Sequence, residues 1–103
     1  MATIWVSIGR NIGSDAMELP RWQRAQQDIR ALIQHCGGSL IFSGEGDGIW
    51  QDTVSETAYV AAALIDAEQI VKLRQQLQWV ASEYEQDAIG LTAQDGSTLV
   101  ERV

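Results

Sequence analysis

The 103-residue sequence is poor in the side chains on which much enzyme chemistry rests: it holds one cysteine, one histidine and one proline. Cys36 has no second cysteine with which to form an internal disulfide, which fits a reducing compartment and sets the cytoplasm as the expected location. His35 adjoins Cys36, but neighbours on a helix diverge by about 100°, so the two do not form a nucleophile–base pair. Cys36 reads as a small core residue and His35 as a cation near a helix C-terminus. No run approaches the ~18 apolar residues of a membrane span, and Met1-Ala-Thr-Ile-Trp5 lacks the pattern of a secretory signal. Phosphate-loop, zinc-protease and paired-cysteine motifs are missing, and Glu45, Asp47 and Asp52 lack calcium-loop spacing. Neither a cofactor nor a metal is therefore expected.

Basic residues are also scarce. Seven stand against fourteen acids, for a net charge of −7. The imbalance lies beyond residue 38, where three basic residues face eleven acids. Such a field repels a phosphate backbone, so direct nucleic-acid binding is not expected.

What is present is a globular composition, 46% hydrophobic, in a chain of single-domain length that can bury about 65% of its unfolded surface. Thr3–Ile8 alternates, with Ile4, Val6 and Ile8 on one face and Trp5 on the other, and predicts a strand ending at Gly9. Pro20 suits the first turn of a helix, and Trp22, Ala25, Ile29, Ile33 and Cys36 continue it to the Gly37-Gly38 stop. Ser39–Ser43 predicts a second strand, Gly44–Gly48 a turn or mobile loop, and Ala58–Ile65 a buried third strand. Asp66 and Gln69 have the spacing of a capping box. A second helix carries the stripe Ile70, Leu73, Leu77, Ala81 and Tyr84. Ala88–Ala93 predicts the fourth strand, and Asp95-Gly96 a hairpin into a short fifth at Leu99–Val103.

This order predicts an α+β, ferredoxin-like βαββαβ domain over residues 1–103, with two helices on one face of a four-stranded antiparallel sheet and an extra C-terminal strand. With the first and third strands taken as parallel, Arg10 and Asn11 fall near Asp66 and the Glu85-Gln86-Asp87 corner. There Arg10 either pairs with Asp87 or Glu85 or lines a polar pocket. The uncovered face holds Trp5. With Tyr59, Ala61 and Ala63 assigned to that face, it forms an apolar patch that predicts a homodimer. Trp50 is a plug over the sheet end or a stacking platform, and Glu56 a cap, an arginine partner or a ligand acceptor.

The segments Ser7-Ile-Gly-Arg-Asn11, Gly48-Ile-Trp50 followed by Glu56, and Gln86-Asp-Ala-Ile-Gly-Leu91 resemble small bacteriophage and prophage proteins of about this length. The resemblance implies a phage setting and an accessory role on host factors; it carries no activity. The leading expectation is accordingly a non-enzymatic acidic protein that binds a host protein or sequesters a small ligand. The rival is a pocket protein or small enzyme for a nucleotide-like anionic ligand at a subunit interface. Arg10, Asn11, Trp50, Glu56, Gln86 and Asp87 would converge there, with Arg10 holding the anion. A third reading is a structural assembly subunit.

Overall fold

The computed structural model describes residues 1–50 and 54–103, and the side chains of these except 49, 50, 54 and 55. Gln51, Asp52 and the Trp50 side chain lie outside the described residues. The first strand, β1, runs Ala2–Gly9 and is followed by a small hairpin, β2 (Asn11–Ile12) and β3 (Asp15–Ala16). Helix α1 (Leu19–His35) leads to a long hairpin of β4 (Ser39–Trp50) and β5 (Val54–Ile65). A single 3₁₀ turn, Ala67–Gln69, precedes α2 (Ile70–Glu83), and β6 (Ala88–Ala93) and β7 (Gly96–Glu101) complete the fold. The five-stranded sheet has the order β4-β5-β1-β6-β7, and each neighbouring pair is antiparallel. This is the expected ferredoxin-like α+β architecture, with β7 as the added strand after Gly96, which takes the positive φ its turn requires.

Alternation in β1 places the core. Ile4, Val6 and Ile8 are buried under Trp22, Ala25, Ile29 and Ile33 of α1 and Leu73, Leu77 and Ala81 of α2. No helix among the described residues is long and apolar enough to cross a membrane.

Several expectations need correction. β1 and β5 are antiparallel, with Gly9 opposite Ala58 and Ala2 opposite Ile65. A helical crossover keeps β4 parallel to β1, and the β4–β5 hairpin then reverses the chain, so β5 must oppose β1. The end of β1 therefore lies beside the start of β5, far from Asp66. The Gly44–Gly48 run is strand, because β5 supplies a ladder partner for each of its residues. Asp66 makes no side-chain cap, and the turn it opens is 3₁₀.

Register also reassigns the two faces of β5. Ile8, Val6 and Ile4 pair with Tyr59, Ala61 and Ala63, so these three share the helix-covered face and are buried. They do not line the open face. Trp5 does: it is 41% exposed and packs edge-on against Phe42, which is 49% exposed, with ring centroids 5.3 Å apart. Ala62, opposite both rings in register, belongs to the same face.

Candidate active site

The uncovered face ends in a cleft of about 510 Å³ at the point where β1 gives way to β2. Its floor is made of small residues: Ser7 and Gly9 of β1, Gly48 of β4, Ala58 of β5 and Gly90 of β6. Register puts them all on Trp5's side of the sheet. The packing between them is tight. A Cβ on Gly9 would lie 2.6 Å from the Glu56 Cδ, and one on Gly90 would strike the Ser7 hydroxyl.

The walls are polar. Arg10 continues the β1–β5 ladder, its N–H donating to the Thr57 carbonyl at 2.9 Å. The chain then turns so that the Asn11 N–H donates to Glu56 Oε2 at 2.8 Å. This charge-assisted bond fixes a carboxylate over Gly9. From the other side Gln86, only 6% exposed, donates through Nε2 to the Asn11 carbonyl at 3.0 Å and to the Tyr84 carbonyl at 3.2 Å. Glu85 and Asp87 flank it on the cleft wall.

Gln86 is held there by the way α2 ends. The Gln86 N–H donates to the Ala81 carbonyl at 2.8 Å, the long bond of a Schellman motif, and Glu85 occupies the left-handed position at φ 52°. Arg21 completes that end, donating to Glu85 Oε2 at 3.1 Å and to the Glu83 carbonyl at 2.9 Å.

The residues singled out from sequence thus divide. Asn11, Glu56, Gln86 and Asp87 line one cleft. Arg10 does not: its Nε donates to the Met17 carbonyl at 2.8 Å, and the Met17 N–H returns to the Arg10 carbonyl at 2.9 Å, clasping the β2–β3 hairpin. The expected Arg10 ion pair is replaced by Arg21 with Glu85. Ser7, Gly9 and Gly90 were not foreseen as lining residues, although the parity of Trp5 assigns Ser7 and Gly9 to the open face. Among the described residues the lining holds three carboxylates, of which Glu85 is paired with Arg21 from outside, and no lysine, arginine or histidine. It therefore favours a cationic ligand over the anionic one expected.

A second hollow, about 450 Å³, lies between the helices around Leu32, Trp79, Val80 and Tyr84. Its polar rim is partly spent internally, since the Tyr84 hydroxyl donates to the Asp28 carboxylate.

No protein-family model matches the chain, and no curated protein sequence is similar to it. Solved structures are. A phage SAM lyase in complex with S-methyl-5′-thioadenosine superposes with a TM-score of 0.68 at 13% identity, over 97% of this chain and 88% of that one. A phage SAM lyase in the apo state gives 0.67 at 15% identity with the same coverage. The chain shares its fold with these two structures. This agrees with the resemblance to phage proteins and overturns the leading expectation from sequence. These two neighbours are lyases, which counts against the reading as a non-enzymatic binding protein and favours its rival.

Proposed function

We propose that this chain cleaves S-adenosylmethionine (SAM) to S-methyl-5′-thioadenosine in the cleft above Gly9. Two supports converge: the shared fold along nearly the whole chain, and a cleft whose charge suits SAM. SAM carries a sulfonium and an ammonium against one carboxylate, and a lining of carboxylates without basic side chains attracts such a ligand.

The reaction breaks the bond between sulfur and the γ-carbon of the amino-acid chain. The bonding pair stays on sulfur, which becomes a neutral thioether. A lyase adds no water, so the four-carbon fragment meets its own electron demand by losing a β-proton to a carboxylate of the lining or by closing on its own carboxylate to a lactone. Glu56, oriented by the Asn11 N–H, holds the cationic part of the substrate, and Asp87 adds to the field. Among the described residues no basic group in the lining competes for the substrate's carboxylate. Because the step cancels positive charge at sulfur, a site shielded from water favours it.

That shielding points to a second copy of the chain. Leu99 lines the cleft, and Trp5, Phe42 and Leu64 leave apolar surface exposed on the same side of the sheet. A copy laid over this face would bury the patch and close the cleft. Light scattering should give a multiple of the 11.3 kDa chain mass, and a strict monomer at micromolar concentration counts against this part. A SAM-consuming phage protein would act in the host cytoplasm, where its substrate is made.

Turnover tests the proposal. SAM should fall as S-methyl-5′-thioadenosine rises, and Glu56→Gln should lower kcat/KM by about a hundredfold, the scale of losing one desolvated charge contact. Full activity in a folded Glu56→Gln protein contradicts the role given to this carboxylate.

A further inference from the structure

Gln86 is the most buried polar side chain of the cleft, and its amide has a determined orientation. Both hydrogens on Nε2 are directed to backbone carbonyls, those of Asn11 and Tyr84. Carbonyls only accept, so the amide cannot be turned end for end without setting oxygen against oxygen. The oxygen at the other end receives no hydrogen bond from the described residues. No buried side-chain oxygen or nitrogen among those residues lacks a partner, and Gln86 lines the cleft, so this oxygen is the end of the amide left for a ligand. It is a rigid, neutral acceptor in a wall where the other polar side chains are mostly carboxylates.

We propose that Gln86 reads the nucleobase, its Oε1 accepting a hydrogen bond from the 6-amino group of adenine. The inference rests on the SAM reading and adds to it the residue that selects the base. The substrate's other polar groups have better partners: the ammonium and the sulfonium charge are drawn to Glu56 and Asp87, and a ribose diol matches a carboxylate's two oxygens. A neutral amine on a flat ring is what remains for a neutral acceptor. At Gly9 and Gly90 the space a Cβ would take is filled by the Glu56 carboxylate and the Ser7 hydroxyl, so these two polar groups lie low on the floor beside it. A fixed acceptor discriminates by sign: it bonds adenine's amine and repels the carbonyl oxygen that hypoxanthine carries at the same position.

The experiment compares kcat/KM for SAM with that for S-inosylmethionine, in which the 6-amino group is replaced by a carbonyl oxygen. Wild-type protein should favour the adenosyl substrate by at least about a hundredfold, because the wrong base leaves a buried polar atom unpaired. In Gln86→Met the preference should shrink to within about threefold. Since that variant also releases the Asn11 and Tyr84 carbonyls and can fail to fold, calorimetry on the wild-type protein supplies a second readout. S-methyl-5′-thioadenosine should bind at least tenfold more tightly than S-methyl-5′-thioinosine. SAM cleavage with both bases used alike, or a preference that survives Gln86→Met, overturns the base-reading role and leaves the SAM reading standing. Absence of SAM cleavage together with no binding of either nucleoside overturns both.

Discussion

At the residue scale the account turns on contacts that leave little room for substitution. Gly9 is one. Its φ is ordinary, and the constraint is the Glu56 carboxylate packed over its α-carbon. Gly9→Ala should push that carboxylate away from the Asn11 N–H and lower activity about as much as Glu56→Gln, with the melting temperature little changed. Combining the two should cost no more than either alone, since both remove the same interaction; additive losses in this double-mutant cycle would show independent roles. Tyr84 supplies a prediction in stability. Its hydroxyl is pushed up from 10.0 to about 12, chiefly by burial and then by the bond it donates to Asp28. A raised pKa in the folded state means that the protonated phenol favours folding. That stabilisation is complete below pH 10 and is lost as pH climbs through 10 to 12. Tyr84→Phe should therefore show a shallower alkaline loss of stability, followed by circular dichroism, and an equally steep loss contradicts the assignment.

Legibility in the sequence also differed residue by residue. Asn11, Glu56, Gln86 and Asp87 stood out as polar residues at strand and helix ends, where sites are built. Arg10 stood out equally and is structural, because a guanidinium's partner can be a backbone carbonyl seven residues on, as Met17 is here, and sequence carries no sign of that. Tyr59, Ala61 and Ala63 were misplaced for another reason. β5 is apolar on both faces, so its pattern has no parity to read; the ladder to Ile4, Val6 and Ile8 decides it.

At the scale of elements, the end of α2 and the long β4 strand each make a measurable claim. Glu85 holds a left-handed backbone normally given to glycine, at a cost of about 1 kcal/mol, and returns some of it through an exposed pair with Arg21. Glu85→Ala should destabilise, keeping the strain and losing the pair. Glu85→Gly should be more stable than Glu85→Ala by about 1 kcal/mol in urea unfolding. In β4, glycines 44 and 46 meet open space where a side chain would project. Gly44→Thr should stabilise the edge strand by roughly 0.5–1 kcal/mol without entering the cleft. These glycines hid the strand from sequence reading, since pairing is a property of the backbone and their density mimics a turn. The helices were plain from their apolar stripes, and β1 from its alternation. The antiparallel sense of β1 and β5 was implicit in the order of elements, since one crossover followed by one hairpin leaves no other arrangement.

For the whole molecule, an excess of acids and an uncovered sheet face bear jointly on the proposed reaction, in which a cationic substrate would be drawn to the acidic cleft and leave as a neutral product. SAM binding should weaken with added salt, while S-methyl-5′-thioadenosine binding should hold nearly constant, as isothermal titration at 50 and 300 mM salt would show; parallel salt slopes for the two contradict electrostatic capture. The central claim is one of place, that the chemistry belongs to the bare side of the sheet and not to the helical layer with its own hollow around Trp79. A crystal structure grown with S-methyl-5′-thioadenosine tests it most directly. The account predicts the nucleoside above Gly9, within hydrogen-bonding reach of Glu56 and Gln86; a nucleoside seated against Trp79 between the helices would contradict it.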